Sequence, residues 1–185
     1  MSNFVDLGPK PFVFPMPVLI IGSFDAEGRP DAMNAAWGSI TDMAEISISL
    51  DKAHKTAANI LETGAFTVAF GTVDTVVACD YVGICSGNSE PAKFEKSGFT
   101  YRKSDKVNAP IINELKVALE CEFVSYENEI MIGKIVNVVA DESVCVDGKI
   151  DMGLLKPIVY DPSMNGYHAV GQKVAEAFRC GNKLK

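Results

Sequence analysis

From Val18 onward the chain is cut into short β-forming runs by turn residues, a punctuation that commits it to a strand-dominated, antiparallel fold. VLIIGSF is rich in β-branched residues and is closed by DAEGR, where Gly28 can supply a positive φ. Asp31 to Thr41 has the length of one strand and is expected to run antiparallel to the first. EISISL, Glu45 to Leu50, alternates with period two, burying one face and leaving Glu45, Ser47 and Ser49 together on the other. AFTVAFG is a further strand. In the second half, VALECEFVSY and IMIGKIVNVVAD flank Glu127, Asn128 and Glu129 as a hairpin, and VCVDGKID carries an Asp-Gly turn.

Helices are fewer. HKTAANILETG reads as one, with Asp51 as N-cap, Ile60 and Leu61 on its apolar face and Gly64 as its stop. TVDTVVACDYVG reads as a second, capped by Thr72, and a helical turn is expected over Lys93 to Lys96. Gln172 to Arg179 is expected to be the last, with Val174, Ala175 and Phe178 on one face. Many antiparallel strands with a few inserted helices predict a mainly β, α+β, barrel-like fold, with residues 1–185 forming one domain.

Charge and composition exclude several functions. A formal net charge of −7 is the wrong sign for a nucleic-acid partner, which requires a basic surface. Five cysteines, an odd number with no CxxC pair, fit free thiols in a reducing cytosol, with Cys79 and Cys85 as an alternative redox pair. The two histidines, His54 and His168, have no partner at metal-ligand spacing. PFVFPMPVLII, residues 11–21, is apolar, but prolines interrupt it and no run reaches the roughly 18 residues of a membrane helix. These features predict a soluble cytoplasmic protein.

The chemistry concentrates between Asp31 and Thr56. Lys52, His54 and Lys55 crowd a helix start, where the partial positive charge of the backbone normally favours acids. That crowding calls for a third party bearing negative charge. Backbone N–H groups with Lys55 and Thr56 would make a phosphate site, the alternative being a solvated basic helix start. In MNAAWGS, Asn34, Ala35, Ala36, Gly38 and Ser39 are poor β-formers, and Gly38 suggests close backbone approach by a ligand. Trp37, the only tryptophan, either stacks on a ring, walls a pocket or packs in the core. Asn34 offers donor and acceptor to a heterocycle edge, and Ser49 with the backbone at Leu50 can act similarly.

PVLIIGSFDAEGRPDAMNAAWGS followed by ISISLDKAHKTAANILETGAFTVAF resembles the flavin reductase-like, FMN-binding split-barrel family. DYVGICSGNSEPAKFEKSGF and GYHAVGQKVAEAF resemble its flavoredoxin-like members. The resemblance implies a homodimeric split β-barrel with non-covalent FMN near the subunit interface. It places Asn34, Ala35, Ala36 and Trp37 beside the ring, with Ser49 and Leu50 as further ring contacts. It places His54, Lys55 and Thr56 at the phosphate, Asn59 one turn beyond, and gives Lys93 reach to flavin or phosphate. Ser86 and Gly87 are weaker candidates, and Tyr167 and His168 approach the pocket. The expected function is electron transfer through FMN, with NAD(P)H as a possible donor. The alternatives are a non-enzymatic carrier serving a redox protein partner, or a barrel holding another cofactor such as haem.

Overall fold

The structure is a computed structural model that describes residues 3–185. Its centre is a seven-stranded antiparallel sheet built from β1 (Leu19–Phe24), β2 (Pro30–Ala35), β3 (Gly38–Asp42), β4 (Glu45–Ser49), β5 (Ala65–Phe70), β6 (Val117–Glu127) and β7 (Ile130–Ala140). The spatial order is β2-β1-β5-β6-β7-β4-β3.

That order forces curvature. β2 and β3 are the two edges of the sheet, yet only Ala36 and Trp37 separate them in sequence. Laid flat, six strand spacings of about 4.8 Å would part the edges by about 29 Å. A link this short spans about 11 Å at most. The sheet therefore curls until its edges nearly meet, giving a split barrel. Ser49 N–H donates to the Trp37 carbonyl at 2.8 Å, tying the link to β4. This corrects the single strand expected over Asp31 to Thr41: the run is two strands, broken where the chain crosses the split.

Curling buries both faces of β1, every residue of which is buried. Leu19 and Ile21 join Ile46, Ile48, Phe66, Val68 and Met131 in one cluster, which α1 (Lys55–Thr63) covers through Ala57 and Ile60. Ile20 joins Ala69, Cys79, Val82, Phe94 and Ile112 in the other, under α2 (Val76–Ile84) and α3 (Lys93–Lys96). A small second sheet pairs Met16–Pro17 with β8 (Ile158–Asp161), and β8 with β9 (Gly166–Ala169).

Several local expectations hold. Thr72 and Thr75 form a reciprocal cap, here on a short 3-10 turn leading into α2. Gly64 ends α1 at φ 73°, a left-handed conformation that glycine adopts without strain. The β6–β7 hairpin turns at Asn128 and Glu129, and the Asp147-Gly148 turn joins Cys145–Val146 to Lys149–Ile150.

Others do not hold. His54, not Asp51, is the N-cap of α1, because the Asp51 carboxylate accepts from Ala53 N–H before the helix begins. Leu61 is 40% exposed, leaving Ile60 as the buried member of that pair. Gln172 to Arg179 forms no helix: Val174 and Phe178 are almost fully exposed, so the apolar face has nothing to pack against. Among the described residues no helix is long and apolar enough to cross a membrane.

Candidate functional site

Two cavities meet between β2, α1 and α2, sharing Met33, His54, Gly83 and Ile84 as common wall and thus forming one groove. The first, about 430 Å³, is lined by Ala35, Ala36 and Trp37 at the strand crossing, by Ser49 beside them, and by Asp80, Tyr160 and Tyr167. The second, about 260 Å³, is lined by Lys55 and Thr56 at the start of α1, by Cys85, Ser86 and Gly87 after α2, and by Lys93.

The walls are brought close by absent side chains. A Cβ on Gly83 would stand 2.9 Å from Asn34 Cβ, so α2 lies against β2 at a distance only glycine permits. At the other end, a Cβ on Gly87 would stand 2.7 Å from Asp31 Oδ1. Gly38 also has a close neighbour, but it is protein: Leu19 Cδ1 would lie 2.7 Å from its Cβ and the Ser47 carbonyl 3.0 Å. Strand packing is thus one reason for glycine at position 38, which lines a separate apolar cavity and neither part of the groove.

At the first cavity a polar chain links three elements. Asn34 Nδ2 donates to the Cys79 carbonyl at 3.1 Å and to the Tyr167 hydroxyl at 3.5 Å, and that hydroxyl donates to Asp80 Oδ1 at 2.8 Å. Burial first, then the neighbouring Asp80 carboxylate, pushes the Tyr167 phenol up to about 12. Tyr160 donates to Asn165 Oδ1 at 2.8 Å, and both line the cavity. The exposed Trp37 side chain lines this cavity and also an apolar one of about 720 Å³ on its other side, so it is a partition and no core residue.

The second cavity is the cationic end. No side chain caps α1 and no acid occupies its first turn, leaving early backbone N–H groups without partners inside the helix. The cations have internal counter-charges, however. Lys55 Nζ lies 3.5 Å from Asp25 Oδ2 and donates to Asn59 Oδ1 at 3.3 Å. Lys93 Nζ lies 3.0 Å from Asp31 Oδ1. Burial disfavours ionised Asp25, but the Arg29 backbone N–H and guanidinium outweigh it and hold the carboxyl below its usual value. The third-party anion inferred from crowded lysines is thus partly supplied by the chain itself.

Of the residues singled out in the sequence, Asn34, Ala35, Ala36, Trp37, Ser49 and His54 line the first cavity, and His54, Lys55, Thr56, Ser86, Gly87 and Lys93 the second. Leu50 and Asn59 line neither. The Leu50 side chain is buried in the core while its carbonyl accepts from the Tyr126 hydroxyl, and Asn59 donates to Ser23 Oγ behind Lys55. The Thr56 hydroxyl donates to Asp31 Oδ2 at 2.5 Å, which leaves its backbone N–H for a ligand. Tyr167 is in the groove wall, whereas His168 faces Asp161 at 3.6 Å.

The groove is also lined by Met33, Asp80, Val82, Gly83, Ile84, Cys85, Tyr160 and Asn165, none of which the sequence marked as a site residue. A glycine inside the apolar second helix was the one available signal. All five cysteines are free, and Cys79 and Cys85 cannot form the alternative redox pair while α2 is intact. Six residues of helix separate their Cα atoms by about 9 Å along the axis. Among the described residues no cluster of His, Cys, Asp or Glu could hold a metal ion.

Residues 12–162 match the model of the flavin reductase like domain. Flavoredoxin of Desulfovibrio vulgaris (Miyazaki F) is 35% identical, superposes with a TM-score of 0.92, and is matched over 96% of this chain and 99% of its own. Flavoredoxin from Methanosarcina acetivorans is 26% identical, with a TM-score of 0.89 and full coverage of both chains. An FMN-binding domain of a flavin reductases-like enzyme from Shewanella baltica, 19% identical, shares the fold at a TM-score of 0.78 over 86% of this chain and 89% of its own. No curated protein matches the chain.

Proposed function

The chain belongs to the flavin reductase-like family, and from that membership we propose that it is a redox protein working through non-covalently bound FMN. The observation that carries this reading is the polarity of the groove: an uncapped helix start with two lysines at one end, and a wall of small residues and one indole at the other. A phosphate suits the first end, because unpartnered N–H groups and ammonium groups converge there. A flat heterocycle suits the second.

FMN, when bound, supplies the electron exchange; the protein binds and orients it. The N–H groups of Lys55, Thr56 and Ala57, the Lys55 and Lys93 ammonium groups and the Ser86–Gly87 loop would hold the phosphate. Ala35, Ala36, Trp37 and Ser49 would border the ring. Asn34 also lines the ring end: its Nδ2 group is engaged by the Cys79 carbonyl and the Tyr167 hydroxyl, which leaves Oδ1 as an acceptor for the ring edge. Leu50 and Asn59 support this frame from behind. His54, shared by both cavities, stands where ring and phosphate ends join.

The donor follows from the ring end. No lysine or arginine lines it and Asp80 does, an arrangement that repels the diphosphate of a nicotinamide dinucleotide. This favours an electron carrier serving a protein partner over an NAD(P)H-linked reductase. The apolar cavity behind Trp37, lined by exposed Val13, Ile40 and Ile130, favours a second copy of the chain as its cover, and hence a homodimer.

Purified protein saturated with FMN and passed through a desalting column should emerge yellow; a colourless eluate overturns the proposal. Anaerobic stopped-flow mixing with NADH or NADPH then separates the two roles, slow or absent bleaching marking the carrier and prompt bleaching the reductase.

A further inference from the structure

We propose that Asp31 is a positioning residue for the cofactor's phosphate end, acting through Lys93 and Thr56 without touching the ligand. This rests on the FMN reading above. Asp31 is 3% exposed and does not line the groove. Its two oxygens are divided between two groups that do: Oδ1 faces Lys93 Nζ at 3.0 Å, and Oδ2 accepts the Thr56 hydroxyl at 2.5 Å. β2, the first turn of α1 and the start of α3 therefore converge on one carboxylate. The loop after α2 closes over it, with Gly87 so near that any Cβ would crowd Oδ1.

An acid beside an anion site looks counterproductive, and burial resolves the conflict. The Lys93 side chain is only 4% exposed, and a buried ammonium must be paired to stay charged and in place. One of its three donors goes to Asp31, leaving two for a ligand. The same carboxylate engages the Thr56 hydroxyl, so the helix start offers its backbone N–H. Holding these groups before the ligand arrives lowers the ordering cost of binding. The geometry is local to the phosphate end: neither Asp31 nor Lys93 lines the ring end.

The test compares FMN with riboflavin, which has the same ring and no phosphate, on the full chain and on Asp31→Ala and Asp31→Asn variants. Asp31→Ala should raise the Kd for FMN by about tenfold or more, the worth of a charge-assisted contact, and that for riboflavin by less than about threefold. Asp31→Asn keeps an acceptor for Thr56 but not the charge for Lys93, and should fall between. Parallel weakening of both flavins, or no change in either, would overturn the proposal. If the alanine variant fails to fold, the asparagine variant decides on the same ratio. Wild-type protein that binds both flavins equally removes the role of Asp31 while leaving flavin binding intact. Wild-type protein that binds neither overturns the functional reading, and this proposal with it.

Discussion

Tyr167, near the end of the folded body, donates to Asp80 in the middle of α2 at 2.8 Å, fastening the second sheet to the groove wall across 87 positions of sequence. The folded phenol keeps its proton to about 12, whereas an ordinary tyrosine releases it near 10. A raised acid contributes stability that is complete below the lower value and is lost as pH rises through the higher one. Thermal melting should therefore fall between pH 10 and 12, and Tyr167→Phe should flatten that decline. Cys121, pushed up to about 12 by burial and then by Glu120, adds a loss of the same sign, so some slope should remain in the variant.

Gly83→Ala tests how the groove is closed. The added carbon would meet Asn34 Cβ at 2.9 Å, a backbone-anchored atom that cannot swing aside. Overpacking of this kind costs about 1–3 kcal/mol. Chemical denaturation should show that loss, and FMN affinity should drop because α2 is lifted from β2. A variant with unchanged stability and affinity would mean that the wall yields freely.

Thiol accessibility offers a direct check on burial. Cys180 is exposed, Cys85 and Cys145 are half-buried, and Cys79 and Cys121 are buried. Burial raises the Cys79 thiol as well, reducing its thiolate further. A colorimetric disulfide reagent should consume Cys180 first and Cys85 and Cys145 slowly, reaching Cys79 and Cys121 only in denaturant. Five rapid equivalents under native conditions would contradict the fold.

How much of this was legible in the sequence divides along local and non-local lines. The alternation of EISISL, the Asp147-Gly148 turn and the Thr72 cap are set within a few residues, and each stands where the sequence put it. The break at Ala36 and Trp37 lies among poor β-formers whose small size also suits a ligand-facing strand; only closure of the whole sheet requires the crossing. Gln172 to Arg179 has helical spacing, but spacing yields a helix only where a surface receives it. At the site, Lys55 and Lys93 were visible while their partners Asp25 and Asp31 were not, since those pairings depend on how β1 and β2 lie against α1 and α3. Asp80 and Tyr160 reach the groove from elements whose docking no short window of sequence encodes.

The lone indole supplies its own reporter. Trp37 lines the ring end of the groove, so FMN titration should quench the intrinsic emission with the stoichiometry of binding. Trp37→Ala should remove that signal and raise the Kd for FMN by several-fold, about 1 kcal/mol, the worth of an aromatic stacking contact. Emission indifferent to saturating FMN would place the ring elsewhere.

The same side chain partitions the groove from the apolar hollow where we place a second copy. On that proposal linkage is reciprocal: any factor by which flavin tightens self-association is also the factor by which self-association tightens flavin. Diluting the protein and stripping its pigment are then two handles on a single equilibrium.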